Sequence, residues 1–278
     1  AVSALGAMAV ETSNARLGCL VFYVGYRNPA LLAKAAITLD HLSGGRFELG
    51  LGGGWHEQEA RAYGYDFPGV GVRLDSLDEA AAVIRDLMTP AAAGASDRSR
   101  VGDDGIRRTT FRGDHVRVDD ASCLPPPVGP RLPIWIGGRG EKRTLRSVAR
   151  YGDGWNAAYV SAAEFGRLNG VVDDWCRTEG RPPGDIERSV NVSFALGRDA
   201  RRAADIDEEM ARSWGPQAER IAAGTLTGTP DDAYDQILAY VEAGAHLVNV
   251  ALRAPFDEVA LRAYVDEVVP AVRAATAG

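Results

Sequence analysis

The sequence predicts an α/β protein built on a parallel sheet and closed as a barrel, on three observations. Six short apolar runs alternate with segments of helical periodicity along 278 residues. Runs that are apolar on both faces suit parallel strands covered by helices on each side. Glycines recur at the carboxyl ends of several well-separated runs, as the active rim of an eight-fold barrel requires, whereas a doubly wound sheet concentrates its glycine fingerprint after one strand. Six strands fall short of eight, and the shortage lies at the amino end.

Residues 1–10 have helix-forming composition with Leu5 and Met8 on one face, and residues 16–23 follow as an apolar strand. Asn28-Pro29 opens a helix, because proline is favoured at a first helical position. Leu31, Leu32, Ala35, Leu39 and Leu42 recur at helical spacing until Gly44-Gly45. Phe47, Leu49 and Leu51 alternate with other residues in a buried strand that stops at three glycines, Gly52 to Gly54. Phe67-Pro68 reads as a loop, and residues 75–88 as a helix with Leu77, Ala81, Ile84 and Leu87 on one face. Between 89 and 132 Ala, Gly, Asp, Arg and Pro dominate, and only residues 110–118 suggest a hairpin. The expectation is a single domain over 1–278 with an insertion at about 89–132, its early part without order. Strands at 133–136, 154–159, 189–196 and 246–251 then alternate with helices reaching Tyr151 and spanning 162–179, 200–223, 230–243 and 258–274.

With 46% hydrophobic and 25% charged residues, the composition is that of a soluble globular enzyme with a sizeable core. A net charge of -7, with no basic stripe beyond pairs such as Arg107-Arg108, argues against nucleic acid or an anionic membrane as partner. A small phosphorylated molecule needs only one local arginine. Cys19, Cys123 and Cys176 are too few and scattered for a disulfide framework or a metal knuckle, so no metal is expected and the expected compartment is the cytoplasm. Residues 1–10 lack a basic leading segment and a cleavage region, so they do not read as a secretion signal. No apolar run approaches a membrane span.

Residues 46–64 carry the first candidate site. Three consecutive glycines at a strand end imply an unusual backbone turn or a ligand lying against the main chain at Gly53 and Gly54. Trp55 adds an aromatic wall, His56 a titratable ring, and Glu57 and Glu59 suit a positive first helical turn. Gly50 and Gly52 before a helix also match part of a dinucleotide fingerprint. Against it, Trp55 stands where the third small residue belongs, and no acidic residue closes a strand about twenty residues on. A strand-to-helix loop with no ligand is the plain alternative, and for His56 the plain alternative is a helix cap. The second candidate is Gly137, Gly138, Arg139 and Gly140, where small residues at a helix start leave backbone N–H groups free and the guanidinium adds positive charge. That combination suits a phosphate. Its alternative is a tight turn with a solvated arginine.

Several segments together resemble one family. They are Gly25-Tyr26-Arg27-Asn28-Pro29 through Lys34, Thr38 through Arg46, Gly50-Leu51-Gly52-Gly53-Gly54-Trp55 through Tyr63-Gly64, and Pro133-Ile134-Trp135-Ile136-Gly137-Gly138 through Tyr151-Gly152-Asp153-Gly154-Trp155-Asn156. In these the chain is similar to the bacterial luciferase-like superfamily (LLM class), and within it to deazaflavin-dependent oxidoreductases of actinobacterial type. The resemblance implies a (β/α)8 barrel, often dimeric, that binds coenzyme F420, or FMN in sister branches, at the carboxyl ends of its strands. It implies a bulge with a non-proline cis peptide at Leu20, Val21 and Phe22 behind the cofactor ring. Gly53, Gly54 and Trp55 would lie against the ring or its side chain, and Gly137 to Gly140 would take the phosphate. Family members begin with two further strands, the second ending in an acidic residue and a histidine near the reactive carbon; residues 1–14 supply neither. The expectation is that the sequence lacks about sixty residues of a full barrel, which two strand-helix units would need.

The expected function is hydride exchange between coenzyme F420 and a small organic substrate, with His56 as the nameable proton handler and a homodimer as the assembly. Tyr23, Tyr26, Trp155 and Phe194 are candidates for the substrate pocket. The alternatives are an FMN-dependent monooxygenase on the same fold and a non-catalytic flavin-binding protein with a reduced barrel.

Overall fold

A computed structural model describes residues 1–215, 218–254 and 256–276. The chain divides into two compact units, one of residues 1–155 and 175–186, the other of residues 156–174 and 187–278. In chain order the first unit holds α1 (Val2–Glu11), β1 (Leu17–Tyr23), α2 (Pro29–Ser43), β2 (Phe47–Gly52), α3 (Glu57–Ala62), α4 (Val70–Met88), β3 (Ser99–Val101), β4 (Arg107–Arg112), β5 (Arg117–Ala121), β6 (Ile134–Gly137) and α5 (Thr144–Tyr151). Strand β7 (Gly154–Ala158) and helix α6 (Ala162–Thr178) contribute residues to both units. The second unit continues with β8 (Glu187–Leu196), α7 (Ala200–Trp214), α8 (Ala218–Ala222), β9 (Thr225–Gly228), α9 (Pro230–Glu242), β10 (Leu247–Ala251), α10 (Glu258–Ala263) and α11 (Val269–Thr276).

In the first unit β2 pairs in parallel with β1 on one side and β6 on the other. Phe22, Leu51 and Ile136 stand in one row, so the three strands end together. Helix α2 forms where the sequence places it. Asn28 accepts hydrogen bonds from the Ala30 and Leu31 N–H groups, Pro29 occupies the first turn, and Gly44 closes the helix in the left-handed region at φ 65°. Its buried face is Leu32, Ala33, Ala36, Ile37 and Leu39, while Leu31 and Leu42 point outward, a rotation from the expected stripe. In α1 the inward pair is Leu5 and Ala9, one turn apart, and Met8 is exposed. Arg46 fixes the end of α1: its guanidinium donates to the carbonyls of Ala9, Thr12 and Ala15 at 2.6 to 2.9 Å. Helix α4 begins five residues earlier than expected, but Leu77, Ala81, Ile84 and Leu87 are its buried face as read.

The segment expected to lack order instead contains β3, which joins β4 and β5 in a three-stranded antiparallel sheet. Two carboxylates of α4 hold it. Glu79 accepts the N–H groups of Asp114, His115 and Val116 at 3.0, 2.8 and 2.8 Å, and Asp86 takes the Arg98 guanidinium at 2.6 Å.

In the second unit β8 is flanked by β9 and β10, both parallel to it, with Phe194 beside Leu226 and Ser193 beside Ala251. Strand β9 lies in the interval left between the helices read at 200–223 and 230–243, and the first of those helices is instead α7 and α8. From β8, Phe194 meets Tyr264 edge-on at 5.9 Å and Ala195 packs with Ile206 and Met210 of α7. Thr229 and Asp232 form a reciprocal capping box at the start of α9, with Pro230 as its first residue.

Candidate functional site

The first unit brings the predicted positions to one rim. The register of β1, β2 and β6 aligns Tyr23 with Gly52, and Leu51 with Ile136, so residues 20–22, 53–55 and 137–140 all follow from the same end of adjacent parallel strands. Between Cys19 and Phe22 the pairing slips by one residue, a bulge that holds Leu20 and Val21, and the Leu20–Val21 peptide is cis. Both expected backbone features are therefore present. Phe22 is buried, with the Arg27 guanidinium 5.6 Å from its ring centroid, whereas Leu20 keeps 39% of its surface exposed.

The bulge explains two glycines that the sequence left without a packing role. A Cβ at Gly52 would collide with Val21 Cγ2, and one at Gly137 would lie 2.7 Å from Val21 Cγ1, so the isopropyl group occupies the space both residues vacate. Gly54 meets the other expectation: it has φ 75°, and the Tyr23 ring fills the place where its side chain would be. Gly53 is held by its carbonyl, which accepts from Arg73 Nε at 3.1 Å; the same guanidinium donates to the Pro68 carbonyl and lies 3.9 Å over the Phe67 ring. Trp55 is 56% exposed and its ring is 4.9 Å from that of His56.

His56 caps α3, its Nδ1 accepting the Glu59 N–H at 3.0 Å. That bond requires an unprotonated Nδ1 and leaves Nε2 as the ring atom that can carry a proton toward a ligand.

The second loop differs from its expected form. Gly137 to Gly140 do not open the helix directly: a turn at 141–143 intervenes and α5 begins at Thr144 without a side-chain cap. The positive end of the helix is therefore a turn removed from the glycines. The Gly138 carbonyl accepts from Trp155 Nε1 at 2.7 Å, and the Gly140 carbonyl from the Leu145 N–H at 3.1 Å. Among the described residues Arg139 is exposed, pairs with no carboxylate, and its N–H and that of Gly140 have no acceptor. An anion at this loop would be gripped by the guanidinium and these two N–H groups.

Tyr23 and Tyr26 line the same end of the unit, their rings in an edge-on pair at 4.8 Å, and Tyr26 donates to Glu59 at 3.1 Å. Burial pushes the Tyr23 phenol up against the opposing pull of Arg73. Burial and then the Glu59 hydrogen bond push that of Tyr26 up, so both stay protonated near neutral pH. Burial also raises the Cys19 thiol, which makes it a poor nucleophile. Trp155 and Phe194 are fully buried core residues and not pocket walls. Sequence reasoning missed Tyr65, Phe67 and Arg73, which extend the aromatic group from Tyr23 and Tyr26. Their signal was the aromatic density of residues 63–67 directly after the glycine-rich turn. Among the described residues no group of His, Cys, Asp and Glu could hold a metal, and no helix is long and apolar enough to cross a membrane.

Comparison with known proteins places these features in context. The model of the luciferase-like monooxygenase family matches residues 1–247. An F420-dependent glucose-6-phosphate dehydrogenase of Intrasporangium calvum is 28% identical over 305 residues, which cover 98% of this chain and 84% of that protein. Among solved structures, an F420-dependent secondary alcohol dehydrogenase in complex with an F420-acetone adduct superimposes with a TM-score of 0.79 at 20% identity, over 98% of this chain and 84% of the other. A long-chain alkane monooxygenase gives 0.76 at 15% identity, over 99% and 73%. At those identities the structural likeness is one of fold: parallel strands alternating with covering helices, as in a (β/α)8 barrel.

Proposed function

Because the chain belongs to the luciferase-like monooxygenase family, we propose that it is an oxidoreductase using coenzyme F420 to exchange a hydride with a small organic substrate. The observation that carries this reading is the shared rim. In register, the ends of β1, β2 and β6 present the exposed apolar surfaces of Leu20 and Trp55 together with a guanidinium, Arg139, that has no carboxylate partner among the described residues. Flat apolar surface beside an uncommitted cation and free N–H groups suits a planar tricycle that carries a phosphate. The residues present therefore fit the coenzyme, with Leu20, Val21, Gly53, Gly54 and Trp55 toward the ring system and Gly138, Arg139 and Gly140 toward the phosphate. When bound, the deazaflavin supplies the two-electron hydride chemistry.

The chain's own part is to bind, orient and exclude water. Val21, packed between Gly52 and Gly137, gives the ring a fixed backing, and Arg73 fixes the Gly53 carbonyl beside it. His56 holds or moves a proton at Nε2, because Nδ1 is committed to the cap. The named relatives support the deazaflavin. FMN is the second reading, favoured by the alkane monooxygenase likeness. A homodimer in the cytoplasm completes the proposal, supported by the outward apolar pair Leu31 and Leu42 on α2 and by three free cysteines.

The test is a titration of the purified protein with oxidised coenzyme F420 and, separately, with FMN, followed by the cofactor's absorbance and fluorescence. Saturable perturbation of the deazaflavin, weakened by Arg139→Gln, is expected. Saturation by FMN alone transfers the assignment to the monooxygenase reading, and no response to either cofactor removes it.

A further inference from the structure

The second unit holds a cluster of hydrogen-bond donors that no described residue accepts. Arg253 follows β10 and lays its guanidinium over the Trp214 indole, 4.2 Å from the ring centroid. Among the described residues it pairs with no carboxylate. Trp214, the last residue of α7, packs against Ala195, Ile206 and Met210, and its Nε1–H is buried with no acceptor among the described residues. Tyr159, just past the end of β7, brings its ring centroid to 6.1 Å from that of Trp214. Its backbone is in the left-handed region at φ 55°, and its Cα lies so close to Gly224 that a Cβ there would collide with it, so the tyrosine is fixed in place. In β8 the fully buried Ser193 hydroxyl has no partner among the described residues, and Ser193 is in register with Ala251, two residues before Arg253. One step back along the same face, Asn249 Nδ2 is also buried without an acceptor among the described residues.

The chemistry of these groups is one-sided. An indole N–H, an amide NH2 and a guanidinium donate and cannot accept, and a hydroxyl can donate. Leaving buried donors unpaired costs roughly 1–3 kcal/mol each, so such a set demands acceptors. A cation stacked face-on over an indole keeps the N–H groups along its edge free for bidentate bonding. Unmet donors around an uncompensated positive charge complement an oxyanion and would repel an amine or a metal ion. The Tyr159 phenol, pushed up by burial against the opposing pull of Arg253, remains a neutral donor near neutral pH.

We propose that Arg253, Trp214 and Tyr159 form an oxyanion subsite that holds the carboxylate or phosphate of a small substrate. The proposal rests on the oxidoreductase reading only for the word substrate; the binding itself needs no coenzyme. Its test uses the full chain without coenzyme, titrated calorimetrically with inorganic phosphate and, separately, with acetate, at ionic strength held constant with chloride. One of the two is expected to bind saturably, phosphate marking a phosphorylated substrate and acetate a carboxylated one. Arg253→Gln should weaken it by at least about tenfold, as loss of a charge-assisted bidentate pair implies. Arg253→Lys, which keeps the charge and loses the fork, should fall between, and Trp214→Phe should weaken binding several-fold. All of these titrations are made in the Arg139→Gln background, so that the anion site proposed at the loop after β6 does not contribute to the binding read. No saturable binding in that background, or affinity undiminished by Arg253→Gln, would overturn the subsite. Because the coenzyme titration is read separately, loss of the subsite with an intact deazaflavin response leaves the proposed function standing, and the reverse outcome leaves the subsite standing.

Discussion

Val21 is the residue on which the rim is organised, because its two methyl groups fill the places where side chains would stand at Gly52 and Gly137. An added methyl at either position has nowhere to go, and overpacking of this kind costs roughly 1–3 kcal/mol. Gly137→Ala and Gly52→Ala should each lower the urea midpoint accordingly, and adding Val21→Ala should recover part of the loss. Simple additivity of the double variant would show that Val21 is not what excludes the methyl. His56 presents a different separation, between cap and chemistry. Its Nδ1 bond to the Glu59 N–H is one that Asn can replace and Ala cannot, and loss of a cap costs about 1 kcal/mol. His56→Asn should keep the melting temperature while lowering turnover if Nε2 handles a proton. His56→Ala should lose both. Full turnover in His56→Asn would reduce the residue to its capping role.

Elements were legible where local chemistry marks their ends. Helix α2 opens at Asn28-Pro29 and closes at Gly44-Gly45, and both signals survive in the structure as a side-chain cap and a left-handed turn. Its inward face was not legible, because apolar residues lie on two sides and only the partner strands decide between them. Strand β9 was missed because Thr225-Leu226-Thr227-Gly228 has no alternation and buries only Leu226 fully. Of the sheet of β3 to β5 the hairpin of β4 and β5 was read at residues 110–118, but β3 was missed for a related reason: it is tied to the hairpin through charge, as in Arg100 with Asp120, and carries no apolar repeat. In the site, the glycine runs could be located, but their reason could not, since Val21 reaches them across strands far apart in sequence. The same distance dependence governs the tie of the small sheet to α4. Glu79→Gln removes the charge and one acceptor facing the Asp114, His115 and Val116 N–H groups, so hydrogen exchange of those three amides should accelerate while the amides of β2 keep their protection. Helix α10 adds a pH-dependent element. Burial works to raise the Asp257 carboxyl, but the Arg198 guanidinium and the N–H groups of Ala260, Arg198 and Val259 outweigh it and hold it below the ordinary 3.8. A depressed carboxyl stabilises above the unfolded value and loses that contribution as pH falls through the folded one. Between about pH 6 and pH 3 the melting temperature of wild type should therefore fall further than that of Asp257→Asn, which keeps a cap but not the charge.

At the scale of the whole chain, a net charge of -7 must be reconciled with the proposed coenzyme, which is itself anionic. Long-range attraction cannot draw the two together, so binding has to come from contacts at short range, where Arg139 and the apolar rim act and bulk charge is screened within about 10 Å at ordinary ionic strength. Such contacts exist only in the folded state, which makes stability a direct readout of them. A ligand present at about 100 times its dissociation constant adds about 2.7 kcal/mol to the folded state, and in a chain of this size each kcal/mol moves the melting temperature by roughly 2–4 °C. Saturating oxidised coenzyme F420 should then raise the midpoint of thermal unfolding by about 5–10 °C. Raising the salt from low to moderate concentration should reduce that shift only in part, since salt screens both the net repulsion and the exposed Arg139 contact but leaves the apolar burial in place. Arg139→Gln should shrink the shift without changing the midpoint of the free protein, because in the free protein that guanidinium has no carboxylate partner among the described residues to lose. A shift that survives Arg139→Gln unaltered would place the anion's grip somewhere other than the loop after β6.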